Sequence, residues 1–223
     1  MLISNSNSIS SIPLSIFFNN QPIIRVKSFT YLGVIIDEKL KFDQHTKYLC
    51  SKVSKSIGIF YKIRYLVPDS VLFNLYHTLV YPYLNYCNVA WCGTYWTHLN
   101  SLWLLQKRVI RIIHRKPFLF PTNQLFLDSK LLKLPEIYSF KLGMFIFDIQ
   151  DQPNFSRTHN YNSRYRNLLY PPSARLTTTQ HSVFNAGIRC WNAIPEPIRN
   201  SRSISIFKNN YKSHLISLYT ENS

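Results

Sequence analysis

Four groups of residues in this chain of 223 have types and spacings that could do chemistry. The first is Cys87 and Cys92, followed by His98 and His114. A structural zinc site takes four ligands in two tight pairs. Here the histidines are spread along a predicted helix, so the spacing favours two cysteines in an aromatic loop. The second group is nucleophilic. There is no G-x-S-x-G elbow, the serines fall mostly in predicted caps and loops, and Cys50 and Cys190 are isolated. Chance alone pairs a Cys with a His when a chain holds four of one and seven of the other. The third group is Asp37, Glu38 and Asp43, the closest set among only ten carboxylates. Two-metal phosphoryl transfer needs tighter clustering, and strand-end and helix-start positions make capping their expected role. The five glycines are isolated, which excludes phosphate-cradling loops of the P-loop or dinucleotide type.

The fourth group is cationic. Lys52, Lys55 and Lys62 share a predicted helix, and Lys107, Arg108, Arg111 and Arg115 form the densest basic stripe, with no carboxylate between Asp69 and Asp128 to neutralise it. Between Gln152 and Pro195 every charged residue is Arg: Arg157, Arg164, Arg166, Arg175 and Arg189. The whole chain carries 26 Lys+Arg against 10 Asp+Glu, a net +16. Such a balance on a folded domain points to polyanions, first RNA, DNA or an RNA–DNA hybrid and second an anionic membrane surface. Tyr81, Tyr83, Tyr86, Trp91, Tyr95 and Trp96 would supply stacking faces for unpaired bases, against the competing expectation that the tryptophans are core.

These residues need elements to position them. The expected fold class is mainly α, with a small N-terminal β-hairpin or strand region, a helical bundle and a small C-terminal α/β tail. Leu14 to Phe18 reads as a strand, Asn19-Asn20 as a turn, Ile23 to Val26 as a return, and Phe29 to Ile36 as a β-branched strand containing Gly33. Asp43 is the expected N-cap of a helix to about Leu66, whose stripe is Leu49, Val53, Ile57 and Phe60. A second helix carries Leu72, Leu75, Tyr76 and Leu79, residues 83–97 read as an aromatic loop, and a third helix spans about Leu99 to Lys116. Helices near Asn123 to Leu132 and from Pro135-Glu136 follow. A strand is expected near Leu176 to Phe184, and a last helix with Phe207, Tyr211, Leu215 and Leu218 on one face. The domain reading is 1–42 for the β region, 43–150 for the helical domain, 151–172 for a basic linker and 173–223 for a tail module. Four cysteines in a chain this long make no disulfide framework, so a reducing compartment is expected. Asn74, His77, Pro82, Asn85 and Asn88 interrupt the uncharged stretch from Ser70 to Gln106, so no membrane span is expected there.

In order along the chain, these segments resemble the C-terminal half of a LINE-type (non-LTR, Jockey-like) retrotransposon reverse transcriptase. Phe29-Thr-Tyr-Leu-Gly-Val-Ile-Ile-Asp37 with Leu40, Phe42 and His45 is similar to that family's "YLGV-x-ID…L-x-W/F…H" block. Lys52, Lys55, Ile57, Gly58, Leu75-Tyr76, Pro82, Leu84-x-Tyr86-Cys87, Trp91, Leu102, Leu105-Gln106-Lys107 and Ile110-Arg111 follow in the family's order. Phe184, Gly187, Trp191-Asn192-x-Ile194-Pro195 and Ser203 to Lys208 resemble its "F…G…WN-x-L/I-P…S…F-K" ending, and Met1 to Ser4 its "M-L-x-S" stretch after the palm motif.

The resemblance implies that residues 1–42 are a palm remnant with Tyr31, Leu32 and Gly33 in a primer-grip-like hairpin, and that 43–150 are a thumb tracking a template–primer duplex. It also implies a partner in the missing palm and fingers half, two magnesium ions as the full-length enzyme's cofactor, and a nuclear or cytoplasmic, not secreted, location. The family's centre uses an adjacent Asp-Asp pair, and this chain has none. The expectation is therefore a nucleic-acid-binding piece of an RNA-directed DNA polymerase, inactive alone and with no cofactor of its own. The rivals are a free-standing basic RNA- or DNA-binding protein derived from such an element, and a degenerate relic.

Overall fold

The computed structural model describes residues 17–24, 26–149, 168–169 and 182–221. The expected linker at 151–172 therefore lies almost wholly outside the described residues, as do the start of the first strand and four of the arginines between Gln152 and Pro195. The fold is mainly α, with two small antiparallel pairs near its N-terminal end: β1 (Phe17–Phe18) with β2 (Gln21–Pro22), and β3 (Ser28–Tyr31) with β4 (Val34–Asp37).

The run from Phe29 to Ile36, expected as one strand, is folded in half at Leu32-Gly33, with Tyr31 opposite Val34. Both turn residues have positive φ, 45° and 79°, the geometry whose twist suits a two-residue hairpin. Gly33 adopts it without a Cβ penalty. Leu32 is held there by the Tyr86 hydroxyl, which donates to its carbonyl at 2.7 Å. Asn19-Asn20 makes a similar turn, with φ of 48° and 59°. The chain then returns at once through Gln21, not at Ile23.

Helix α1 (Asp43–Ile63) follows Phe42, and the Asp43 side chain does not cap it. No side chain caps it, and the carboxylate of Asp37 instead braces the turn that leads into it. It accepts the N–H of Phe42 at 2.7 Å, Lys39 at 3.0 Å and Lys41 at 3.1 Å, which ties the end of β4 to the start of α1. Asp43 pairs with Lys47 at 3.5 Å. The expected stripe Leu49, Val53, Ile57 and Phe60 is buried, and α2 (Asp69–Leu79) and α5 (Trp96–Ile113) close over it.

Helix α5 runs parallel to α1. Near their starts the Thr94 hydroxyl donates to the Lys41 carbonyl at 2.6 Å, and near their ends Arg115 reaches the Arg64 carbonyl at 3.1 Å. The stretch expected as an aromatic loop is instead two short helices, α3 (Tyr81–Asn85) and α4 (Asn88–Trp91). Trp91 draws the second inward: it is fully buried, with its indole N–H donated to the Tyr86 carbonyl at 2.9 Å.

The remaining elements are α6 (Asn123–Asp128), α7 (Leu134–Ile149), α8 (Val183–Ala193), α9 (Glu196–Arg199) and α10 (Ile204–Glu221). Helices α8 and α10 pack against α7, and one contiguous apolar core runs from α1 to α10. Gly187 lets α8 approach closely, since a Cβ there would lie 2.9 Å from Ile146. Trp191 packs against Phe147 and Phe207 at centroid distances of 6.3 and 5.6 Å. Its neighbour Asn192 grips the Leu169 backbone in both directions, accepting its N–H at 3.0 Å and donating to its carbonyl at 2.7 Å. The strand expected to reach Phe184 is corrected at its end: Val183 and Phe184 open α8, because the Ser182 hydroxyl accepts the Asn185 N–H as an N-cap. Residues 176–181 lie outside the described residues. No helix among the described residues is long and apolar enough to cross a membrane.

His45 joins the β3–β4 hairpin to this bundle. It is 2% exposed, lies edge-on to Trp91 at 5.6 Å, and its Nδ1 accepts the Ile35 N–H at 3.4 Å. An accepting Nδ1 requires the neutral ring, and burial holds its pKa below the ordinary 6.5. The sign follows: as pH falls through about 6.5 the unfolded chain takes up a proton that the folded chain refuses. Stability is therefore full above that pH and declines on the acid side, and His114, also lowered by burial, adds in the same direction. Thermal melts between pH 7.5 and 5.5 should show a falling Tm, with a shallower fall in His45→Gln. An equal fall in both proteins would remove His45 from this account.

Candidate nucleic-acid interface

The seven cations singled out above lie on or just beyond α1 and α5, and they are not equivalent. Lys52, Lys55 and Lys62 occupy one face of α1. Lys55 and Lys62 project into water, while the Lys52 ammonium lies 5.2 Å from the Tyr48 ring centre. On α5 the half-buried Lys107 ammonium sits 4.6 Å from the Trp103 ring. Burial first, and the neighbouring Arg111 second, hold its pKa below the ordinary lysine value. Arg108 is exposed, its guanidinium 5.3 Å from the Tyr61 ring and its Nε–H 3.4 Å from the Tyr61 hydroxyl.

Arg111 and Arg115 are committed to the fold. Arg111 donates its Nε–H to the Phe120 carbonyl at 2.8 Å. Arg115 stands just past α5 at a positive φ of 51°. It donates to the carbonyls of Arg64 at 3.1 Å and Val67 at 3.3 Å, and pairs with Asp69 at 2.6 Å. Carbonyls at a helix C-terminus lack intrahelical partners and carry partial negative charge. Arg115 therefore closes the end of the neighbouring α1 and joins it to α2. Its four-residue spacing from Lys107 and Arg111 expresses a shared helix face, while its bonds are those of a C-terminal clamp.

Arg64 was not among the sequence candidates, yet it belongs to the cluster. Its guanidinium lies 5.0 Å from the Tyr61 ring and 4.7 Å from the Tyr65 ring. The signal was present as Tyr61, Arg64 and Tyr65 crowded around the last turn of α1. The expected stacking residues divide. Trp91 is core, Tyr81 and Tyr83 are half-buried, Tyr86 serves Leu32, and Tyr95 and Trp96 are exposed around the start of α5. Tyr31, Leu32 and Gly33 form an exposed hairpin tip at that same end of the bundle. The 18 residues of α5 put it about 27 Å, at 1.5 Å rise per residue, from the Arg115 end.

The cysteine and histidine set does not converge on one point. Cys87 is exposed and Cys92 is buried, and burial pushes the Cys92 thiol up to about 12, away from the thiolate a metal would need. The His114 Nε2 is hydrogen-bonded to the Ser129 hydroxyl at 2.7 Å. Among the described residues no three His, Cys, Asp or Glu side chains are grouped as a metal site. Comparison of the chain with protein-family models, curated proteins and solved structures finds no match.

Proposed function

We propose that this chain is a nucleic-acid-binding helical piece of a LINE-type reverse transcriptase: the thumb and the segment after it, binding RNA, DNA or an RNA–DNA hybrid and contributing no catalytic carboxylates. The observation that carries the reading is the charge on α1 and α5. Lys52, Lys55, Lys62, Lys107 and Arg108 lie on two parallel helices that contain a single carboxylate, Asp43, with Asp69 nearby at the start of α2. Asp43 is ion-paired with Lys47 and Asp69 with Arg115. Lys55, Lys62 and Arg108 are exposed and available to phosphates, and Lys52 and Lys107, partly buried, flank them against the rings of Tyr48 and Trp103.

The distance between the two ends supports the same reading. A duplex lying along α5 (Trp96–Ile113) would meet the hairpin tip at one end and the Arg108 region about 18 Å away, about five base steps on at roughly 3.4 Å per step. In this reading the magnesium ions and their carboxylates belong to the palm half. The exposed Phe29, Tyr31 and Leu32 offer that half an apolar surface.

The test is fluorescence anisotropy of the purified chain with a labelled RNA–DNA hybrid from 50 to 300 mM salt. The expected result is a linear fall of log K with log salt, steep enough to report several displaced counterions. Weak binding at 50 mM, or a flat salt response, would overturn the proposal.

A further inference from the structure

Two loops meet at the C-terminal end of the α1–α5 pair. One follows α1 and holds Tyr65 and Leu66; the other follows α5 and holds Phe118 and Leu119. Arg115 binds them together through the Arg64 and Val67 carbonyls. All four of these large side chains stand in water, with Tyr65 70% and Phe118 68% exposed. Scattered exposed apolar residues are ordinary, but four in two linked loops form a patch.

What distinguishes this patch is its charge. Each exposed ring has a guanidinium against it: Arg64 at 4.7 Å from the Tyr65 centre and Arg111 at 5.8 Å from that of Phe118. Lys62, Arg108 and Lys116 lie on the same two helix ends and the loop after α5, and the local carboxylate, Asp69, is paired with Arg115. A partner must therefore offer negative charge and flat apolar faces together.

Resting on the reading of α1 and α5 as nucleic-acid-binding, we propose that this end of the bundle is a stacking platform for the unpaired bases of a single strand. A base stacked on the open face of Tyr65 or Phe118 completes a guanidinium–ring–base stack, while neighbouring cations meet its phosphates. A duplex keeps its base faces stacked internally, so it can use the cations here but not the rings. Tyr61 is not part of the platform, because its ring already lies against two guanidiniums, those of Arg64 and Arg108.

The test compares the full-length chain with Tyr65→Leu, Phe118→Leu and the double variant. Both substitutions are at exposed positions and keep an apolar side chain, and a circular-dichroism melt checks that folding is unchanged. The probes are a labelled 12-nucleotide single-stranded RNA and the same sequence as a 12-base-pair duplex. Each substitution is expected to weaken single-strand binding roughly fivefold to a hundredfold and to leave duplex binding within about twofold. Equal losses on both probes, or no loss on either, would overturn the platform while leaving the wider binding reading intact. A wild-type chain that binds neither probe would overturn both. Tight binding to phosphatidylserine vesicles that the double variant loses, with RNA binding unchanged, would assign the patch to a lipid surface and overturn the proposal.

Discussion

A Gln106→Leu variant is expected to lose about 3–6 kcal/mol of folding stability, a large part of the roughly 5–15 kcal/mol that domains possess. Gln106 is fully buried at the junction of α5 and α7. Its amide N–H groups donate to the Tyr76 hydroxyl at 2.9 Å and the Leu132 carbonyl at 3.0 Å, and its Oε1 accepts the Leu134 N–H at 2.8 Å. One side chain thus satisfies a hydroxyl from α2 and two backbone groups at the start of α7. Leucine fills similar volume but leaves all three unpaired, at about 1–3 kcal/mol each before relaxation. Urea unfolding followed by circular dichroism measures the loss, and a change below about 1 kcal/mol would contradict the account. Tyr76→Phe gives a sharper check, because it removes one of the orphaned groups. Its cost should nearly vanish in the Gln106→Leu background, a coupling that independent sites would not show.

The second large effect is on binding. Changing Lys55, Lys62, Lys107 and Arg108 to Gln is expected to weaken hybrid binding at about 0.1 M salt on the order of 10²- to 10³-fold, since each lost phosphate contact forgoes nearly a decade of counterion-release affinity there. Lys55, Lys62 and Arg108 are exposed and Lys107 is half-buried along its stem, so glutamine preserves most of the packing and the melt should move little. Arg111 and Arg115 are left in place deliberately. Removing them would uncap α1 and free the Phe118 loop, so a loss of binding would no longer report on phosphate contacts.

The helical framework was legible because its signal is local and periodic. Leu49, Val53, Ile57 and Phe60 on α1, and Phe207, Tyr211 and Leu215 on α10, repeat at the helical period and are buried. What escaped detection depends on partners distant in sequence. The hairpin fold at Leu32-Gly33 lies inside a β-branched run without an Asn-Gly signal, and the Tyr86 hydroxyl that steadies it is 54 residues away. Position suggests Asp43 as the cap of α1, but Phe42 stands there without a side-chain bond, and Asp37 braces the entry turn from the end of the preceding strand.

The candidate site divides in the same way. Spacing placed Lys107, Arg111 and Arg115 on one helix face. It did not reveal that carbonyls 51 and 48 residues earlier claim Arg115. Arg64 escaped notice because a single guanidinium among tyrosines has no period. Gln106, Trp191 and Asn192 entered through the family resemblance without a physical role. In the structure each has one: a buried polar junction, an aromatic core, and a two-way grip on the Leu169 backbone.

The central claim is that binding resides in a particular face and not in net charge alone. The direct measurement is the log K against log salt slope on the RNA–DNA hybrid for three proteins. These are the wild type, the variant with Lys55, Lys62, Lys107 and Arg108 changed to Gln, and an isoelectric variant with Lys39, Lys41, Lys208 and Lys212 changed to Gln. Both variants remove four charges from the same net +16. The account predicts a slope shallower by about 3 in the first variant and one close to wild type in the second. Equal flattening in both would show that binding follows total charge and would contradict the assignment of the interface to α1 and α5.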